Sequence, residues 1–119
     1  TEQRRWDAEG EVPPGLFDDV DAVVHLAGDN VAEGRWTAAK KARIRDSRVG
    51  PTRRLAEAAA AAGVKTFVSA SAIGFYGDRG DELLDETSAP GTGFLADTGR
   101  EWEAATDPAR DAGLRAVQV

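Results

Sequence analysis

The pattern of apolar and polar positions along the chain predicts three strands separated by helices. Residues 22–27 form a short, nearly unbroken apolar run that ends at Gly28, which is typical of a strand buried on both faces in a parallel sheet. A second run of this kind spans residues 65–72, and residues 115–119 look like a third parallel strand. Helical segments lie between these runs, so the order is that of consecutive βαβ units.

Two helices are predicted between the strands. Thr37 is a suitable N-cap for the first helix, and Gly63 suits the position just after its end. Pro51 is expected to kink or divide this helix, because proline lacks an amide donor and clashes with the preceding turn. The second helix is predicted over residues 94–111, with Pro108 disturbing its end.

Any chemistry is expected just beyond the carboxyl ends of the strands, where ligands bind in open α/β sheets. Residues 28–30 follow the first strand, and residues 69–77 follow the second. A loop rich in Gly, Asp, Glu and Pro continues over residues 74–93. Loops of this length are usually functional or disordered, and a solvated acidic loop is favoured here over a cation site.

Composition and charge argue against several classes of partner and site. The 119 residues suit one small domain, and the net charge of −6 argues against nucleic acid or an anionic membrane as the main partner. The chain has no cysteine and one histidine, which excludes disulfides, thiolate metal sites and a multi-histidine site within it. No apolar run approaches about 18 residues, so no membrane span is expected, and a cytoplasmic location is the default. The sequence is compatible with a homo-oligomer.

The ends of the chain suggest a longer protein. The sequence begins on a polar stretch without Met, and it stops on the third predicted strand. We therefore expect the chain to be a fragment.

Several side chains are candidates for chemistry, and each has a plainer interpretation. Ser69, Ser71 and Tyr76 cluster at the second strand end, where a hydroxyl beside a tyrosine can polarise a carbonyl or relay a proton. From the residues alone, serines that bond loop backbone and a tyrosine that packs are favoured. His25 lies within the first strand, which favours a core histidine bonded to backbone over a base. Arg48 is the arginine of its helix that could point back at the strand ends.

Gly28 is equally open to two interpretations. It could allow a phosphate to approach the strand end and the following helix, or it could be a turn glycine only. A G-x-G-x-x-G loop after a first strand would decide the matter, and the chain contains none.

Five motifs occur in the order and spacing of a known family. They are Val24-His-Leu-Ala-Gly28, Gly34-Arg-Trp36, Ile44-Arg-Asp-Ser-Arg-Val49, Ser69-Ala-Ser-Ala-Ile-Gly-Phe-Tyr-Gly-Asp-Arg-Gly-Asp81, and Gly93-Phe-Leu-Ala96 with Trp102-Glu103. The chain resembles the atypical extended short-chain dehydrogenases/reductases known as NAD-dependent epimerase/dehydratases or nucleoside-diphosphate-sugar epimerases, some of them labelled SulA-like. The resemblance covers nearly the whole chain. It implies an α/β, Rossmann-like parallel sheet with helices on both faces.

The resemblance also implies a function and a set of site residues. It implies an NAD or NADP cofactor, with NADPH favoured, and hydride transfer on a nucleotide sugar or a related small substrate. Ser71 resembles the active-site Ser/Thr that polarises the substrate carbonyl, and Tyr76 matches a tyrosine that lies near the substrate. The residues expected along the cofactor are Leu26, Ala27, Gly28, Arg48, Ser69 and Ala70.

The chain departs from the family pattern in two ways. The first βαβ unit with its glycine-rich phosphate loop and the C-terminal substrate region are not in it, so residues 1–119 match the central part of an NAD(P)-binding domain. The Tyr-x-x-x-Lys pair that supplies a proton would fall near Leu95 and Gly99, and neither residue can donate one. An enzyme is favoured, with Tyr76 as the only phenol available to replace the missing donor, and a non-catalytic NADPH-binding sensor or interaction protein is the alternative.

Overall fold

The computed structural model describes residues 1–119 and contains one parallel sheet. The strands are β1 (Ala22–His25), β2 (Thr66–Ser69) and β3 (Arg115–Gln118), and the helices are α1 (Ala38–Ala61), α2 (Phe94–Ala104) and α3 (Asp107–Asp111). The strand order is β1-β2-β3, with His25 opposite Ser69 and Ser69 opposite Gln118. This arrangement confirms the predicted α/β class with a parallel sheet.

The three helices lie on one face of the sheet. Val23 of β1 and Phe67 of β2 pack with Leu55 of α1 and Ala109 of α3 in the main hydrophobic core. Right-handed crossovers between strands that neighbour each other in chain order place both connections on the same side. The expected helices on both faces are therefore not found in these residues. Strand β1 alternates instead of being buried on both faces, and Val24 on the other face is 63% exposed.

Helix α1 is continuous through Pro51, so the expected division at this residue is wrong. Proline in a helix also crowds the side chain of the residue before it, and Gly50 has no Cβ to be crowded. The predicted N-cap is confirmed, because the Thr37 hydroxyl accepts from the Lys40 amide at 3.2 Å. Gly63 follows the helix with φ of 72°, the left-handed conformation predicted for this position.

The second predicted helix is two helices. Helix α2 ends at Ala104, and α3 begins at Asp107 with Pro108 in its first turn. Proline suits the start of a helix, where its missing amide would have no intrahelical partner. The Thr106 hydroxyl donates to the Glu103 carbonyl at 2.7 Å and supports the turn between them.

The loop after β2 begins with a 3₁₀ turn at Ile73–Tyr76. Farther along it, the Arg79 guanidinium binds the Glu82 carboxylate and the Ala89 carbonyl, so the acidic residues of this loop are partly paired. The chain forms no cluster of three side chains that could ligate a metal. None of its helices is long and apolar enough to span a membrane.

Candidate active site at the carboxyl edge of the sheet

The loop after β1 is fixed at Asp29 by three side chains of α1. The Lys40 ammonium donates to the Asp29 carboxylate at 2.6 Å, the Asp29 amide donates to the Ser47 hydroxyl at 2.9 Å, and the Arg48 guanidinium donates to the Asp29 carbonyl at 3.0 Å. The Lys40 side chain is only 6% exposed, and its hydrogen bond lowers the pKa of Asp29. The strand-end loop is therefore held in place before any ligand arrives.

Sequence reasoning missed Lys40 and Ser47. A signal was available, because Lys40, Ser47 and Arg48 are spaced i, i+7 and i+8 and so share one face of α1. Nothing in the sequence alone indicated that this face meets the loop after β1.

Arg48 points back at the end of β1, as proposed from the sequence. Its guanidinium lies 5.1 Å from the centre of the Trp102 ring and also donates to the Ile44 carbonyl at 2.9 Å. A Cβ at Gly28 would lie 2.9 Å from the Arg48 Cζ atom, so a larger residue at this position would displace the end of the arginine side chain. Burial lowers the pKa of Arg48. Arg48 therefore joins the loop backbone at Asp29 to its own helix and to Trp102 of α2.

The other residues expected along the cofactor are divided between surface and core. Leu26 is 64% exposed, and Ala27 and Gly28 are exposed beside it. A cavity of about 790 Å³ borders Ala27, Gly28 and Asp29. Ser69 is fully buried, and its hydroxyl donates to the Ala70 carbonyl at 3.1 Å. Of the two strand-end serines, Ser69 therefore does not bring its hydroxyl to the surface.

Ser71 at the end of β2 is bonded to a residue of α2. Its hydroxyl donates to the Glu103 carboxylate at 2.5 Å, and its amide donates to the Val119 carbonyl at 2.6 Å. Both Ser71 and Glu103 are partly exposed. Sequence analysis placed Glu103 in a motif without giving it a role, because its contact with Ser71 joins residues 32 positions apart.

Tyr76 closes the 3₁₀ turn that follows Ser71. Its ring meets the Phe75 ring edge to face, with centroids 5.2 Å apart, and the residue is partly buried. A Cβ at Gly91 would lie 2.2 Å from the Tyr76 carbonyl oxygen. The close approach of this loop therefore sets the backbone position of Tyr76.

The positions of the missing Tyr-x-x-x-Lys pair are occupied by packing. A Cβ at Gly99 would lie 3.2 Å from the Phe75 Cα atom, and the Leu95 side chain lies where a Cβ at Gly74 would meet it at 3.2 Å. Helix α2 thus lies directly against the turn that carries Tyr76. A lysine at position 99 has no room unless that turn moves.

The Gly34-Arg-Trp36 motif joins the loop after β1 to the start of α2. The Trp36 ring meets the Phe94 ring edge to face at 5.7 Å, and the Trp36 indole donates to the Val31 carbonyl at 2.9 Å. The Lys41 ammonium lies 5.5 Å from the centre of the Phe94 ring. The motif therefore has a positioning role at this edge of the sheet.

His25 is a core residue, as favoured from the sequence, and is 5% exposed. Its Nε2 atom has no hydrogen-bond partner, so the expected bond to backbone is not made by that nitrogen. Burial lowers the pKa of His25, because it disfavours the charged ring.

Comparison with known proteins assigns these elements to a family. The model of the NAD dependent epimerase/dehydratase family matches residues 15–96. An epimerase family protein of Mycobacterium bovis is 48% identical over 118 residues, which is 98% of this chain and 39% of that protein. An epimerase family protein of Bacillus subtilis is 32% identical over 95% of this chain and 38% of its own length. The chain thus spans about two fifths of these relatives.

Two solved structures share the fold. The nucleoside-diphosphate sugar epimerase from Corynebacterium glutamicum is 46% identical, with a TM-score of 0.84 over 98% of this chain and 25% of that one. The UDP-N-acetylglucosamine 4-epimerase from Bacillus cereus is 25% identical, with a TM-score of 0.68 over 87% of this chain and 36% of its own. Both comparisons match this chain to part of a larger Rossmann-like protein.

Proposed function

The chain belongs to the NAD-dependent epimerase/dehydratase family, and we propose that it forms the strand-end part of a nicotinamide-dependent site that acts on a nucleotide sugar or a related small substrate. The observation that carries this proposal is the partly exposed Ser71 at the end of β2. Ser71 follows β2, and the neighbouring strand β1 leads into the exposed segment Leu26–Gly28. Ligands of open α/β sheets bind at this edge.

The residues at this edge fit one wall of a dinucleotide site. Leu26 and Ala27 present an exposed strand end beside the cavity, and the Asp29 contacts with α1 hold that strand end rigid. The Arg48 guanidinium lies beside Gly28, and in this proposal that side chain, not a phosphate, occupies the space at Gly28. In this proposal Leu26, Ala27 and Ala70 lie along the cofactor, with NADPH favoured, and Arg48 supports them from behind.

Within this site Ser71 and Tyr76 meet the substrate. The bound nicotinamide would supply hydride transfer, and the protein residues would orient the reacting carbon and handle the proton. Ser71 contacts the substrate oxygen, and Tyr76 lies at the substrate on the turn that follows. Because Gly91 and α2 fix that turn on both sides, the two groups have a set relative position.

A turnover assay on the whole protein that carries these residues tests the proposal. NADP(H) and NAD(H) would be offered with a panel of nucleotide sugars, and Ser71→Ala and Tyr76→Phe would be compared with the native protein. We expect turnover that falls at least tenfold in Ser71→Ala, in line with the contribution of positioned proton-handling groups. The matched control is Ser88→Ala, since Ser88 is a partly exposed loop serine bonded to Asp85. Equal turnover in Ser71→Ala and Ser88→Ala would contradict the proposal.

One observation favours a second candidate function. The lysine position of the family pair is Gly99, packed on Phe75, so no lysine can lower the pKa of a neighbouring phenol. A protein that binds the cofactor without turnover would meet this description. Saturable NADPH binding, followed by energy transfer from Trp36 and Trp102, with no turnover on any substrate would favour this sensor.

A further inference from the structure

The Ser71 hydroxyl already donates its one proton to a neighbouring carboxylate. Serine has one donor and two acceptor lone pairs, and Ser71 donates to Glu103 at 2.5 Å. This length is that of a hydroxyl bonded to an ionised carboxylate. Toward a substrate, Ser71 therefore offers lone pairs, which accept from a hydroxyl. This role differs from the donation to a substrate carbonyl expected from the sequence, which stays a prediction.

Glu103 lies on the helix face where the proton-transfer pair of the family is missing. Leu95, Gly99 and Glu103 are spaced i, i+4 and i+8 on α2, so they form one stripe. The first two pack against the turn after Ser71, and the third reaches Ser71 itself. Glu103 is thus the ionisable group of this stripe.

The Glu103 carboxylate has the Ser71 hydroxyl as its one hydrogen-bond partner. Glu103 forms no ion pair, whereas Glu101, two residues before it, pairs with Arg45. The other polar side chains at Glu103 are neutral: Gln118 and Thr106 both bond its backbone carbonyl. The Ser71 hydroxyl is therefore the donor that faces its carboxylate.

We propose that Ser71 and Glu103 act together as a proton relay, in place of the missing Tyr and Lys. This inference rests on the function proposed above. When the substrate alcohol is oxidised, its O–H bond breaks and its proton passes to the Ser71 oxygen, while the Ser71 proton passes to the Glu103 carboxylate. The bound oxidised nicotinamide would accept the hydride of that carbon, which would become a carbonyl carbon. Glu103 acts through Ser71, so it is a positioning and proton-accepting residue behind the group that meets the substrate.

Glu103→Gln in the whole protein separates proton acceptance from packing. The amide oxygen can still accept from Ser71, but it cannot take up a proton at neutral pH. We expect kcat to fall about 100-fold or more with KM little changed, and the double variant with Ser71→Ala to be no slower than the slower single variant. Formate should restore part of the activity to Glu103→Ala. Glu101→Gln is the control, and its turnover should be that of the native protein.

A second measurement does not depend on turnover. Ser71→Ala, Glu103→Ala and the double variant would be unfolded in urea without cofactor. We expect the sum of the midpoint shifts of the two single variants to be larger than the midpoint shift of the double variant. Additive shifts would overturn the relay, because the two side chains would not be bonded in solution. Native kcat in Glu103→Gln would overturn the relay alone. A non-additive pair in a protein that turns over no hydroxyl substrate would overturn the relay and the proposed function together.

Discussion

Replacing Gly91 with alanine should displace the turn that carries Tyr76. The new Cβ would lie 2.2 Å from the Tyr76 carbonyl oxygen, 2.5 Å from its carbonyl carbon and 2.7 Å from the Gly77 nitrogen. All three are backbone atoms, so no side-chain rotation relieves the contact. The oxygen has to retreat by at least 0.8 Å to reach the 3.0 Å below which Cβ contacts are essentially never found.

The energy at stake follows from the hydrogen bonds at this contact. The Gly91 amide donates to the Phe75 carbonyl at 2.9 Å, and the Arg100 guanidinium donates to the Gly91 carbonyl at 2.7 Å. A typical hydrogen bond contributes a net 0.5–1.5 kcal/mol, so losing both costs about 1–3 kcal/mol. The cost falls on the loop rather than the core, and we expect it as local opening.

Urea unfolding and amide hydrogen exchange in the protein measure this effect. Gly91→Ala should lower the free energy of unfolding by about 1–3 kcal/mol and speed exchange of the residue 91 amide. Gly10→Ala is the matched control, because Gly10 is also a loop glycine without positive φ, and its nearest contact to a new Cβ is 3.5 Å. Its effect should stay within about 0.5 kcal/mol. Equal stability and exchange in the two variants would refute the reasoning.

Three further outcomes are expected. Thr52→Val should lower the free energy of unfolding by about 1–3 kcal/mol in urea, because the buried Trp102 indole then loses its acceptor at 3.0 Å; no change would show that water replaces it. Burial holds the pKa of His25 below its ordinary 6.5, so the unfolded state binds the proton first and stability should fall as pH drops below 6.5, an acid loss that should be smaller in His25→Asn. Gly99→Ala should not show the gain of about 0.5–1 kcal/mol that alanine has over glycine within a helix, because the new Cβ lies 3.2 Å from the Phe75 Cα atom and that backbone has to yield; the full gain in thermal unfolding would contradict this contact.

The sheet could be predicted because its signal is local. Strands β1 and β2 lie in short apolar runs with β-branched residues, and β3 has an apolar centre at Ala116 and Val117. Thr37 and Gly63 mark the ends of α1 through local backbone geometry and bonds made within a few residues. The expected burial on both faces failed because burial depends on what covers a strand. The apolar character of Val24 says that it suits an interior, but only the crossover geometry says which face of β1 the helices of this chain cover. The expected division of α1 at Pro51 was wrong for a related reason. The cost of a proline in a helix can be outweighed by the packing of a long helix, and Pro51 is buried.

The site was harder to predict because its contacts join residues far apart in the chain. Gly28 and Gly99 are both glycines at close approaches, yet the first admits a guanidinium and the second a peptide backbone, and no phosphate loop is involved in either. Sequence spacing could therefore identify Gly28 as a special position without identifying its neighbour. The same holds for Ser71, whose motif indicated a role in catalysis but not the direction of its proton. That direction depends on Glu103, which lies about two turns of α2 beyond Leu95 and there reaches Ser71. The proton relay therefore places the ionisable group of this chain on the same face of α2 as the two positions of the Tyr-x-x-x-Lys pair, because Leu95, Gly99 and Glu103 are spaced i, i+4 and i+8.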